Sequence, residues 1–510
     1  MAKDMICKAK CPLHMTWRSL AMVSILAVAI VSVHGAEQTV AASEIVELIL
    51  AKEPVYYDNI TVLGDLDLSS LPDAQVPVSF AMTNSRLDNA SFEGVTFEQD
   101  AVFCGTTFGR VGFEKSSFLG YADFADTSFA NTSFSACSFS RPTVFDRSLF
   151  WDRVSFEDAI FSEDASFNRA RFQKEANFNY SDFNSYSYFA SAEFLGDAFF
   201  SDVDFLAASD FSAASFAGQA NFFSSRMSAL TFSDAHFTGP AQFGLASFSG
   251  LSSFGGSVFA DEAGFGLARF SGAAYFSGAK FRGLALFGLA KFEDIVSFDH
   301  ADFSGDLNFK SASIATLLFE KATLGKASRI ILNDSDILRF KAHWNVIDDH
   351  VVWDPGAYLA LVENYRRLGW SNDEDDCYYQ YRWFDQINAV WGWSKIVDIL
   401  AWLSCGYGVK PGYAALWSLL VILIFALIYW NEDGIRRAAK PLHEPAEKYA
   451  IPGQVTMRNA LFFSTMIFIS RGPNEFLPIG RNRYFVIIEG IIGWLLLALF
   501  LVTLGRVMIR

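Results

Sequence analysis
From about Asn89 to Leu324 the apolar positions of the chain keep time with phenylalanine. Phe145, Phe150, Phe156, Phe161, Phe167, Phe172, Phe178, Phe183, Phe189 and Phe194 advance in steps that alternate between 5 and 6 residues. The beat resumes from Phe232 to Phe309 after a slip at Met227, and before Phe139 the step is mostly a plain 5. Two positions before each Phe stands a small or aliphatic residue, such as Ala122, Thr132, Cys137, Ala165, Ser181 or Ala301, and never a charged one. A repeat with two inward positions in about five residues fits neither an amphipathic helix nor a simple alternating strand. Two steps sum to eleven, the period of a right-handed coiled coil. That alternative fails because Gly, Ser, Asn and Phe are poor helix formers. What fits is a solenoid with flat sides about five residues long, each aiming one large and one small side chain inward.

This pattern resembles the pentapeptide-repeat family in its Phe-centred form, and the likeness covers nearly half of the chain. The resemblance implies a right-handed, quadrilateral β-helix. Four sides of 5, 6, 5 and 6 make a coil of 22 residues, with the extra residue at a corner. Phe92 to Phe319 then holds about ten or eleven coils, a rod on the order of 50 Å long. Each buried Phe contributes roughly 1.5–3 kcal/mol, so the core needs neither disulfide nor metal, and any function lies on the outward residues.

The flanks read differently. Lys3, Lys8, Lys10 and Arg18 precede an apolar run from Leu20 to Val33 that ends at Gly35-Ala36, the layout of a signal peptide, with an uncleaved anchor helix as the alternative. Ser43 to Lys52 is expected to be a short helix, N-capped by Ser43, that covers the first coil. The coils begin near Val62. After Leu324 the beat dies. Asp354-Pro355 is an N-cap followed by Pro at the first helical position, Gly369 ends that helix, and Ser371-Asn372-Asp373-Glu374 is a capping-box signature for the next. The acid run Asp373–Asp376 suits a helix N-terminus; cation binding is the alternative. Trp393 to Gly408 reads as an interfacial helix, with Lys395 and Asp398 opposite its apolar side. Tyr413–Trp430 and Tyr484–Leu504 are long enough to span a bilayer, and Asn459–Ser470, at 12 residues, is re-entrant in length. The expected division is 1–36 leader, 37–61 cap, 62–330 β-helix, 331–410 helical linker and 411–510 two-span module.

Span, short helix, Gly/Pro loop, span is the order of a two-helix pore. The last hundred residues resemble the potassium-channel pore family at Phe463-Ser464 and Phe468 of the short helix. They also do so at Pro478 and Gly480 after the loop, and at Glu489-Gly490-Ile491-Ile492-Gly493 in the second span. The filter departs from the family: Ser470, Arg471, Gly472, Pro473, Asn474 and Glu475 stand where stacked carbonyls and their glycines belong. Pro473 fixes its own φ, and Arg471 in a tetramer would ring the pore with positive charge, which excludes potassium selectivity. The module is either an anchor or an anion-tolerant pore that is not potassium-selective. That family keeps both termini in the cytoplasm, whereas a signal peptide here places the rod outside. Eight cations between the spans (Arg436, Arg437, Lys440, Lys448, Arg458, Arg471, Arg481 and Arg483) against four on the outer flanks agree with the rod outside and the loop in the cytoplasm.

Charge and composition narrow the function. Net charge is −16, and residues 92–324 carry 28 Asp and Glu against 15 Lys and Arg, a surface unsuited to nucleic acid. The 6 cysteines and 7 histidines form no metal-ligand spacing, no cofactor motif appears, and no nucleophile and base are paired, so neither an enzyme nor a cofactor is expected. The expected partners are the lipid bilayer, an unidentified protein or cell-surface partner on the rod, and, if a pore forms, three further copies in a homotetramer. The expected role is that of a membrane-anchored scaffold or sensor, or alternatively a two-span ion channel regulated by the repeats.

Overall fold
In the computed structural model, residues 38–431, 434–437, 455–472 and 476–508 are described. The expected leader, and Pro473, Asn474 and Glu475 of the loop, lie outside the described residues. The chain forms a parallel β-solenoid of about 14 turns followed by several helices. One coil shows how the Phe beat becomes structure. Leu149–Phe150, Val154–Ser155, Ile160–Phe161 and Ala165–Ser166 are its four short strands, each paired in parallel with the segment 22 residues on. A Phe at the end of each side, Phe150, Phe156, Phe161 and Phe167, points inward with the small or aliphatic residue two positions earlier, and both are buried.

The alternating stride has a local cause. Where steps of 5 and 6 alternate, the step of five carries a tight turn, such as Phe156–Ala159, closed by Ala159 N–H donating to the Phe156 carbonyl at 3.1 Å. Asp158 at its third position takes a left-handed φ of 57°. The step of six places its extra residue in bends at the opposite corners, as at Ser162–Asp164. Where the stride stays at five, the corner is absent: Thr107–Gly112 and Ser128–Ser133 run straight through as six-residue strands in coils of 21 residues. The slip at Met227 coincides with a register shift between Phe205 and Ala208, and Met227 fills the Phe position, buried.

Rings dominate the core. Phe189 stacks on Phe211 at 4.6 Å and on Phe167 at 4.8 Å, the rings nearly parallel, and meets Phe200 edge-on at 5.7 Å. Both geometries are favourable for aromatic quadrupoles. The ladder also extends beyond the Phe region. Gln38–Ala41 pairs with Ile60–Leu63, and Asp336–Lys341 pairs with Ser313–Leu318. Val, Ile and Leu fill the first coils' inward slots, so counting Phe alone gives ten or eleven turns where the fold has about 14.

Both ends are covered. Helix α1 (Ala42–Leu50) sets Ile45 and Ile49 against the first coil. Its N-cap is Ala41, without a side-chain bond, because strand Gln38–Ala41 runs straight into the helix; Ser43 therefore lies inside it. At the other end come α2 (Trp344–Ile347), α3 (Pro355–Leu368) and α4 (Ser371–Asn388). Asp354 caps α3 as its sequence indicates, accepting from Ala357 N–H at 2.9 Å, and Gly369 closes it at φ 72°. The open backbone edge of the last strand is met by a side chain. Asn364 accepts from Phe340 N–H at 2.9 Å and donates to the Phe340 carbonyl at 2.8 Å, doing what a further coil would do. Tyr365 donates to the Ala342 carbonyl beside it. The N-cap of α4 is Trp370, one residue before the expected Ser371, and it makes no side-chain cap bond. Helix α4 begins at Ser371 after Trp370, and Glu374 turns to accept from Arg366 at 3.1 and 3.2 Å.

Candidate functional site
The helices that follow are α5 (Trp393–Cys405), α6 (Pro411–Asn431), α7 (Met457–Phe468) and α8 (Asn482–Met508). Two of them, at Pro411–Asn431 and Asn482–Arg506, are long and apolar enough to cross a membrane. The short α7 packs between them, because its Ala460, Phe463, Ser464 and Phe468 are the small and aromatic residues one face needs.

The junction of α6, α7 and α8 is where the motif residues meet. Glu489 of α8 is fully buried. Its carboxyl accepts from the Tyr429 hydroxyl of α6 at 2.8 Å and lies in hydrogen-bond contact with the Ser464 hydroxyl of α7. Ser464 also contacts the Ile422 carbonyl at 2.8 Å, so one small site ties three helices together. One turn on, Gly493 lets α7 come close: a Cβ there would lie 2.5 Å from the Phe468 carbonyl oxygen. Gly490 has open space at the same test. Thus Glu489 and Gly493 sit with Ser464 and Phe468, whereas Gly490 faces away from them.

The loop residues after α7 end the helix. Ser470 takes a left-handed φ of 54°, its N–H donates to the Ile467 carbonyl, and Arg471 N–H donates to the Met466 carbonyl, both at 2.9 Å. This is the Schellman closure of a helix C-terminus. Arg471 and Gly472 are exposed beyond it. A two-stranded ladder between Ile435–Arg437 and Phe476–Pro478, which no periodicity announced, ties the two sides of the inter-helix segment.

Helix α5 is amphipathic in the reverse sense. Lys395 donates to the Ala389 carbonyl at the end of α4 at 2.9 Å and lies over the Trp391 ring. Asp398 pairs with Arg382 of α4, and Trp402 donates to the Tyr379 hydroxyl at 2.8 Å. The charges face protein. Outward stand Trp393, 83% exposed, Val397, 60%, and Leu400, 58%. Leu400 and Leu403 flank an apolar groove of about 280 Å³ shared with Trp417, Val421 and Leu495 of the two long helices.

The acid run of α4 is taken up by neighbours. Asp373 accepts from Trp344 N–H at 2.7 Å, Asp375 approaches Arg506 at 3.8 Å, and Asp376 pairs with Lys410. Among the described residues no group of three or more His, Cys, Asp and Glu is arranged to hold a metal ion.

The family model for Pentapeptide repeats (9 copies) matches residues 124–171, 158–204, 232–280 and 265–313. No curated protein and no solved structure matches the chain. The matches form two runs of coils, 124–204 and 232–313, on either side of the slip at Met227. The solenoid of this chain is a pentapeptide-repeat rod.

Proposed function
We propose that the chain is a membrane-anchored pentapeptide-repeat scaffold. Its rod is a right-handed, four-sided coil held outside the cytoplasm, and its C-terminal helices sit in the bilayer with α7 as a re-entrant segment. The observation that carries this reading is the reversed helix α5. An amphipathic helix in water turns its apolar stripe to the core. Here both charges of α5 are spent on α4, while Trp393, Val397 and Leu400 face outward next to the exposed sides of α6 and α8. An apolar medium makes that arrangement favourable, and Trp at its margin suits the headgroup layer. The rod meets its partner through outward residues; Tyr180, Tyr186 and Phe223 are exposed aromatics on its wall.

The test is depth-dependent quenching. Single cysteines at Leu206 on the rod, Val397 on α5 and Leu416 on α6 are labelled with an environment-sensitive dye in full-length protein reconstituted with doxyl-labelled lipids. Quenching at Leu416 and Val397 but not at Leu206 is the expected pattern. Quenching at none of them overturns membrane anchoring.

A second reading, an ion channel gated by the rod, is favoured by two contacts. Gly493 against Phe468 and Glu489 against Ser464 seat the short helix on the second long one, as a pore helix requires. Against it stands the exposed Arg471 at the loop mouth. Current in planar bilayers that disappears or changes ion selectivity on Arg471→Ala supports the channel; silence of both forms removes it.

A further inference from the structure
We infer that the first two turns of α4 are a coupling joint that seats one end of each long apolar helix on the cap of the rod. The four consecutive acids Asp373, Glu374, Asp375 and Asp376 reach four different elements. Asp373 holds the backbone of Trp344 in α2, against the last coil. Glu374, almost wholly buried, holds Arg366 of α3. Asp375 meets Arg506 near the end of α8, and Asp376 meets Lys410 just before α6. The two cations are held a second time by the tyrosines that follow. Arg506 lies 5.5 Å from the centre of the Tyr378 ring, and Lys410 lies 5.7 Å from that of Tyr379. Each long helix therefore ends in a cation lodged between a carboxylate and an aromatic ring, a geometry in which Coulomb and cation–π attraction add. Tyr379 is itself fixed by Trp402 of α5.

The consequence is mechanical. The rod cap holds α4 through Asp373 and Glu374, and α4 holds the two helix ends through Asp375 and Asp376. A change in the rod's orientation is passed to both ends at once, and parting the two ends requires vacating at least one seat. This holds whether or not the helices conduct ions.

The joint is tested by charge exchange in the full-length protein, in a background with its native cysteines replaced. Spin labels at Leu338 on the last coil and Leu501 on α8 report the Arg506 seat; labels at Leu338 and Leu416 report the Lys410 seat. The unmodified joint is expected to give a narrow distance distribution. Asp375→Arg or Arg506→Asp alone is expected to lose the narrow peak, and the double exchange to recover it; Asp376→Lys with Lys410→Asp behaves likewise. Tyr378→Leu, which leaves both charges in place, is expected to broaden the Leu501 peak as well. A label pair at Leu206 and Leu289 shows that the rod remains folded in each variant. Narrow peaks in every variant, or a double exchange that stays broad, overturn the joint. Recording in both detergent and nanodiscs, with flotation of the reconstituted protein, separates failure of the joint from failure to enter the bilayer.

Discussion
Leu245, Leu267 and Leu289 occupy one corner in coils 22 residues apart, all at φ near 60° and all about half exposed. At the same corner earlier coils carry Asp158, Tyr180, Asp202 and Ser224. A left-handed φ costs an ordinary L-residue about 1–2 kcal/mol, and Asn tolerates it best after Gly. Leu267→Asn is therefore expected to raise the unfolding free energy by about 0.5–1 kcal/mol, read from urea unfolding of the full chain in detergent, while the β-branched Leu267→Val lowers it. Cys137 makes a second residue-scale case. It fills a small inward slot, donates to the Phe113 carbonyl at 2.8 Å, and burial pushes its thiol up to about 12. In the unfolded chain the thiol ionises near 9. Below pH 9 both states keep the proton and the thiol adds no pH dependence. Between pH 9 and about 12 the unfolded state alone releases it, so stability falls as pH rises. Cys137→Ala is expected to flatten that part of the pH profile, and the native thiol is expected to resist alkylation at pH 9, as peptide mass spectrometry of the alkylated chain would show.

Among the elements, Asn364 and Gly493 do work that their neighbours in sequence do not. Asn364 replaces the backbone of a missing coil, and its loss leaves Phe340 N–H and carbonyl unpaired at a buried edge. Asn364→Leu is expected to cost roughly 2–4 kcal/mol and to expose an edge that templates end-to-end association; light scattering after size exclusion would register the larger species. Gly493 and Gly490 give a paired control. Gly493→Ala drives a Cβ into Phe468 and is expected to part α7 from α8 and lower the melting temperature, whereas Gly490→Ala meets nothing and leaves it unchanged. How far such roles were legible depends on their range. The Phe columns are readable because an inward pair recurs every five or six residues, and the start near Val62 is readable as well; the strands before it, Gln38–Ala41 and Val55–Asp58, are not, because Val40 and Val55 look like ordinary apolar residues. The motif Glu489-Gly490-Gly493 stood out as a unit, but its division of labour was hidden. Partners such as Tyr429 and Ser464 lie 60 and 25 residues away, and no spacing rule connects them. The acid run was assigned to the helix dipole, which still applies, while its reach to Lys410 and Arg506 needed the fold.

At the scale of the whole molecule, these two seats constrain how the chain can lie across a bilayer. Lys410 precedes α6 and Arg506 nearly ends α8, yet both rest on α4 beside the last coil. If α6 and α8 span, both outer ends lie on the rod's side and the segment between them, with α7 and the ladder at Ile435–Arg437, lies toward the other. The seats also neutralise the two cations on the rod's side. The segment between the helices carries seven Lys and Arg, and Arg483 in the first turn of α8 makes eight, more than both outer flanks together, and positive charge favours the cytoplasm. Under the proposed function, the charge bias puts the loop in the cytoplasm and the helix pairing then puts the rod outside, opposite to the orientation of the pore family that the motif resembles. Impermeant maleimide on intact cells is expected to label a cysteine at Ser224 and spare one at Arg436 until the membrane is opened. Labelling of both from one side breaks the hairpin, whereas the reverse pattern keeps the hairpin and turns the rod toward the cytoplasm. Under the proposed function, the partners within reach of the rod's acidic wall differ between those two outcomes, so this measurement decides on which side of the membrane one is to be sought.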